Sequence, residues 1–153
     1  MLNQGQLSTD AVMGTSLSNT NEGNDARFIV TAIEVTIVKA ISSVSDNLGQ
    51  NGANRVPGAD VEYTLTVTVT GLGEATNLIV SDELPAELLL KEGEHGIIKV
   101  SKSGGAEEDM TAEDDASKDD AKYNEGNNTI SVDLGTITAG DPASTIRFTT
   151  VIQ

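Results

Sequence analysis

The chain of 153 residues has no cysteine and no tryptophan, and it carries only two tyrosines, two phenylalanines and one histidine. Without cysteine neither a disulfide nor a thiolate zinc site can staple the fold, so stability has to come from burial. That absence does not exclude an extracellular home; it removes one argument for it. Few aromatic rings also leave few stacking platforms for sugars or bases. With a single histidine, a Ser-His-Asp triad or a histidine metal cage would have to use His95. It stands between Glu94 and Gly96 at a turn, with no serine motif nearby, and reads as a solvated side chain. No G-x-S-x-G, P-loop or dinucleotide fingerprint occurs. Carboxylates are plentiful, but acid–base catalysis needs one held in a pocket with a shifted pKa. The expectation is that the chain is not an enzyme.

Positive charge is equally scarce. Nine Lys and Arg stand against 24 Asp and Glu, a formal net charge of −15. Such a surface repels phosphates, which argues against nucleic acid and against docking on an anionic membrane. No stretch approaches the roughly 20 apolar residues that a membrane-spanning helix needs. The opening MLNQGQLSTD lacks the basic and apolar regions of a signal peptide, so an extracellular form is expected to have lost its leader already.

What the chain does have is alternation. Asp60 to Leu72 reads DVEYTLTVTVTGL, with Val61, Tyr63, Leu65, Val67 and Val69 on one side. Glu62, Thr64, Thr66, Thr68 and Thr70 fall on the other, the pattern of a long, half-buried strand. The β-branched residues suit a pleated surface. Arg27 to Ser42 is a second strand candidate, with Ile33, Val35, Ile37 and Lys39 on one face and Val30, Ala32, Glu34, Thr36 and Val38 on the other. Apolar residues on both faces predict a strand covered on both sides for part of its length, or one passing between two sheets.

The remaining strands are expected at Leu78 to Ser81, Gly96 to Ser101, Asn128 to Ile137 and Ser144 to Ile152, with a helical turn at Ala86 to Leu90. Turn chemistry fills Ser43 to Gly58, including Asn51-Gly52 and Pro57-Gly58, and Ala139-Gly140-Asp141-Pro142 joins the last two strands. Six or more strands with no convincing long helix predict an all-β, antiparallel β-sandwich. Residues 1–26 read as a polar N-terminal arm, with a short strand at Met1 to Leu7, and 27–153 as the β-sandwich domain.

Residues 103–128 read as an acidic loop. Asp109, Asp114, Asp115, Asp119 and Asp120 make it a candidate Ca2+ site, although its spacing does not match an EF-hand loop and a solvated loop is the default. Lys39, at a strand end beside core, is a candidate for a Lys–Asn isopeptide bond, for which the sequence nominates no buried Asn.

The order of several motifs resembles the immunoglobulin-like repeat found in tandem in bacterial and archaeal surface proteins, long catalogued as a domain of unknown function. The resemblance covers about residues 33–153. It rests on Val35 to Lys39, Pro57-Gly58, the strand containing Tyr63, Gly71 to Asn77, Asp82-x-Leu84-Pro85-Ala86, Asp133-Leu134-Gly135 and Ala139-Gly140. It implies an immunoglobulin-like sandwich and no catalytic residue. The family repeat usually continues into a further strand of the type I-T-N-x-A-x-V, whereas here the last strand matched is Thr145 to Val151. Met1 to Leu7 is similar to that strand, with Asn3 at the asparagine, Gly5 at the small residue and Leu7 at the valine.

A closing strand displaced to the N-terminus implies either a sandwich that completes itself or one that completes its neighbour. The second gives a head-to-tail homopolymer. The expected function is a structural subunit of an extracellular filament or surface appendage whose partners are copies of itself. Met1, Asn3, Gly5, Leu7, Val12 and Met13 are the candidate donor strand, and Ser8 to Asp25 the tether. Val67, Ile146, Phe148 and Ile152 are expected to line the acceptor groove. The alternative is a repeat module of a cell-surface adhesin or stalk, stiffened by Ca2+, or a binding module working through loops 43–58 or 103–128.

Overall fold

The computed structural model describes residues 13–17, 25–29, 32–49, 52–91, 98–111 and 120–153. Among the described residues there is no helix, and the strands form antiparallel sheets. A hairpin of β1 (Met13–Leu17) and β2 (Asp25–Ile29) makes a sheet of its own. The larger sheet contains β3 (Ile33–Ser45), β4 (Asp60–Gly71), β6 (Leu88–Leu90), β7 (Ile98–Ser101), β8 (Glu108–Met110) and β11 (Ser144–Ile152). Its order is β3-β4-β11-β7-β8, with β6 pairing the far end of β11. The second sheet is β5 (Glu74–Glu83), β10 (Thr129–Thr138) and β9 (Ala121–Asn124), in the order β5-β10-β9.

The alternating stretch becomes β4, flanked by β3 and β11. Its Val61, Leu65, Val67 and Val69 are buried, while its threonines stay partly or fully wet. Ile146 and Phe148 of β11 and Ile98 and Val100 of β7 extend the same apolar face. Val80 of β5 and Ile130, Val132 and Leu134 of β10 supply the opposing one, and all of these but Val61 join one core cluster. Each fully buried Val, Leu, Ile or Phe contributes roughly 1.5–3 kcal/mol of transfer free energy. That is how a chain without disulfides closes a sandwich.

Specific local devices hold the register. Gly71 has φ 99°, and a Cβ there would sit 2.2 Å from the Ala32 carbonyl oxygen, so only glycine lets β3 and β4 meet at that end. Asn128 has φ 53°, and its amide donates to the carbonyls of Leu84 (3.0 Å), Pro85 (3.1 Å) and Leu88 (2.8 Å). Tyr123 Oη donates to Asn128 Oδ1 at 2.6 Å. One side chain thus ties the turn after β5 to the β9/β10 hairpin.

Several expectations are corrected. The single strand expected over Arg27 to Ser42 is two, β2 and β3, and β1 lies within the stretch read as tether. Leu88–Leu90 pairs with β11 where a helical turn was expected, because Leu90 sinks into the core of the larger sheet. The acidic loop contains β8 and β9, anchored by buried Met110 and Ala121. Most informative is β3, which is exposed along nearly all of its length, not covered on both sides.

Candidate strand-accepting cleft

β3 stands at one end of the larger sheet, hydrogen-bonded to β4 alone among the described strands. Its register with β4 places Val35 beside Val69, Ile37 beside Val67, Lys39 beside Leu65 and Ile41 beside Tyr63. Paired residues share a face, so these side chains project to the core side of the sheet. Yet Val35 is 38% exposed, Ile37 49% and Ile41 41%. Their partners on β4 are covered by the second sheet, and they are not.

The reason lies in the second sheet, where among the described strands β5 stands at the end and pairs with β10 on one side. Among the described residues no strand lies beyond β5 to roof β3. The result is a cleft: the inward face of β3 forms its floor and the unpaired edge of β5 forms its wall. Lys39 and Asp82 meet across it at 2.6 Å, at 32% and 16% side-chain exposure. The Lys39 ammonium also lies 4.6 Å from the centre of the Tyr63 ring, a cation–π contact. At this exposure the ion pair contributes no more than about 1 kcal/mol to the single chain. Lys39 meets Asp82 there, not an asparagine.

The structure places the expected groove residues elsewhere. Val67, Ile146 and Phe148 are between 1% and 2% exposed, inside the closed core. Ile152 is half-buried at the end of β11, opposite Leu88. The second sheet already covers that region, so an entering strand would have to displace it. The open apolar row is instead on β3, whose two-sided apolar composition was the available signal. Of the expected donor residues, Met13 begins β1 and pairs with Ile29 of its own chain. Met1, Asn3, Gly5, Leu7 and Val12 lie outside the described residues.

Of the candidate Ca2+ ligands, Asp109 pairs with Lys99 at 3.1 Å and Asp120 with Lys102 at 2.7 Å. Asp114, Asp115 and Asp119 lie outside the described residues, as does His95. Among the described residues no three His, Cys, Asp or Glu side chains converge on a metal position. Glu107 takes a two-oxygen contact from Arg147, knitting β11 to the segment before β8 on the outer face.

Asp46, just after β3, is buried, and its carboxylate accepts from the Leu48 N–H (3.1 Å) and the Asn54 amide (2.8 Å). The Leu48 backbone bond and then the Asn54 side chain hold its pKa below the ordinary value of 3.8. Gly52 packs so closely there that a Cβ would overlap the carboxylate. This buttress ties Leu48, Gly52 and Asn54 to the end of β3.

No protein-family model matches the chain, and neither a curated protein nor a solved structure matches it.

Proposed function

We propose that this chain is a structural subunit of an extracellular filament or surface appendage, polymerised head to tail by donation of its N-terminal arm. The observation that carries the reading is the uncovered row Val35, Ile37 and Ile41 beside the unpaired edge of β5. A long apolar edge strand is a template for association unless something covers it. An entering strand would gain main-chain hydrogen bonds from β5 and bury the β3 row at once. The arm precedes β1 and alternates as such a strand requires, and the order of motifs resembles that of immunoglobulin-like surface repeats. Exchange between copies propagates because donor and acceptor are different surfaces of one chain.

The test is size-exclusion chromatography and electron microscopy of the full chain beside a variant lacking residues 1–12. Filaments from the full chain, and monomers from the variant that associate on adding a peptide of residues 1–12, are expected. Monomers from both would end the proposal.

A further inference from the structure

The donated strand has one favoured register, and the Lys39–Asp82 pair sets it. We infer that residues 1–7 of a second copy pair antiparallel with the free edge of β5, with Asn3 opposite Asp82. This rests on the strand-donation reading and deepens it.

The argument begins with direction. Ile33 pairs with Gly71, and β5 starts three residues after Gly71, so β3 and β5 begin at the same end of the cleft. The Lys39–Asp82 contact marks the other end. From there, steps of two residues bring Ile37 level with Val80, then Val35 level with Leu78. The inward-facing positions at these levels are therefore apolar except for the Lys39–Asp82 pair.

The arm carries the complementary pattern. Met1, Asn3, Gly5 and Leu7 share a face, with one polar and one side-chain-free member. Placing Asn3 at the ion pair lets its amide donate to the Asp82 carboxylate and accept from the Lys39 ammonium. Gly5 then meets Ile37, the most exposed of the inward-facing β3 side chains, and leaves it room. Leu7 falls beside Val35 and Leu78, and Met1 beside Ile41 and Tyr63. A slip of two residues strands the Asn3 amide among apolar side chains and sets Met1 or Gly5 against the charges. A slip of one turns the whole apolar set outward.

The second copy is a reachable donor. Met13, the residue that follows the arm, pairs with Ile29, four residues before the start of β3. Twelve extended residues span roughly 40 Å at about 3.3 Å each. In the single chain the β3 row is uncovered.

Because the chain has no cysteine, engineered disulfides report the register directly. The favoured register sets Gln4 opposite Ser81 and Gln6 opposite Ile79, all on the outward face. The full-length double variants Gln4→Cys/Ser81→Cys and Gln6→Cys/Ile79→Cys are oxidised under assembly conditions and run on non-reducing gels. The controls are Gln4→Cys/Ile79→Cys and Gln6→Cys/Ser81→Cys, each two residues out of register. A ladder of covalent oligomers at least tenfold stronger in the matched pairs is expected, and Asn3→Leu should reduce that preference. Filaments with ladders from the mismatched pairs would overturn the register while leaving strand donation standing. A disulfide confined within one chain would overturn the second copy as occupant. Monomers without crosslinks would overturn both.

Discussion

Replacing Val35 and Ile37 by threonine separates the folding of the subunit from its assembly. Threonine keeps the β-branch that suits a strand. In the single chain both positions are more than a third exposed, so the new hydroxyls keep water as a partner. The double variant should lose less than about 1 kcal/mol of subunit stability, a fall of a few degrees in melting temperature at this chain length. Once an entering strand covers them, each hydroxyl is buried among apolar side chains at a cost of about 1–3 kcal/mol. Every 1.4 kcal/mol is a factor of about ten, so the concentration needed for assembly should rise roughly 30-fold or more. Sedimentation of the full chain over a concentration series measures that threshold, and thermal melts of dilute protein measure the subunit. Val67→Thr is the contrasting control, because Val67 is 1% exposed and the same hydroxyl should lower the subunit melt itself by several degrees. If Val35→Thr/Ile37→Thr lowers the subunit melt as Val67→Thr does, β3 is covered in the free chain and the cleft does not exist. If the assembly threshold does not move, the arm docks elsewhere.

Other perturbations test the supports of the cleft. Asn128→Ala removes the donor to three carbonyls and the acceptor for Tyr123. It should cost about 2 kcal/mol or more in a denaturant titration, and Tyr123→Phe about 1 kcal/mol. Gly71→Ala forces a side chain into φ 99° and against the Ala32 carbonyl, so it should destabilise by at least about 1–3 kcal/mol and loosen the start of β3. Asp46 has a lowered pKa in the fold, so its contribution is present above the ordinary carboxylate range and is lost as pH falls through and below it. Melts between pH 6 and about pH 2 should therefore fall less steeply for Asp46→Asn than for the wild type. Copies each bearing a net charge of −15 repel one another, so raising salt from about 0.02 M to about 0.3 M should speed assembly, as light scattering would register.

Much of the sandwich was legible because its strands are amphipathic in the simplest way. β4 and β11 alternate cleanly, and their boundaries follow from Gly71, Pro57-Gly58 and Ala139-Gly140. The short strands β6, β8 and β9 were not legible. Three or four residues give too little alternation, and what holds them is pairing: β8 with β7, β9 with β10, and β6 with the distant β11. β3 was legible as a strand but not in its environment. Apolar residues on both faces mean two-sided burial in most sheets, and the sequence of β3 alone does not say that β5 stands at the end of the second sheet among the described strands. The same limit bears on Val67, Ile146 and Phe148: they are the most core-like positions of their strands, and their own chain covers them. Where β3 is exposed depends on β5 standing at the end of the second sheet among the described strands, a property of topology, not of any one segment.

Hydrogen exchange along β5 tests strand donation most directly. Amides of β5 that face its open edge should exchange fast in dilute full-length chain, with the opposite-facing set, bonded to β10, protected. On assembly, the fast set between Leu78 and Glu83 should slow at least a hundredfold, together with amides in residues 1–7. Assembly that leaves the β5 edge exchanging at its free rate would contradict the account, whatever the filaments look like.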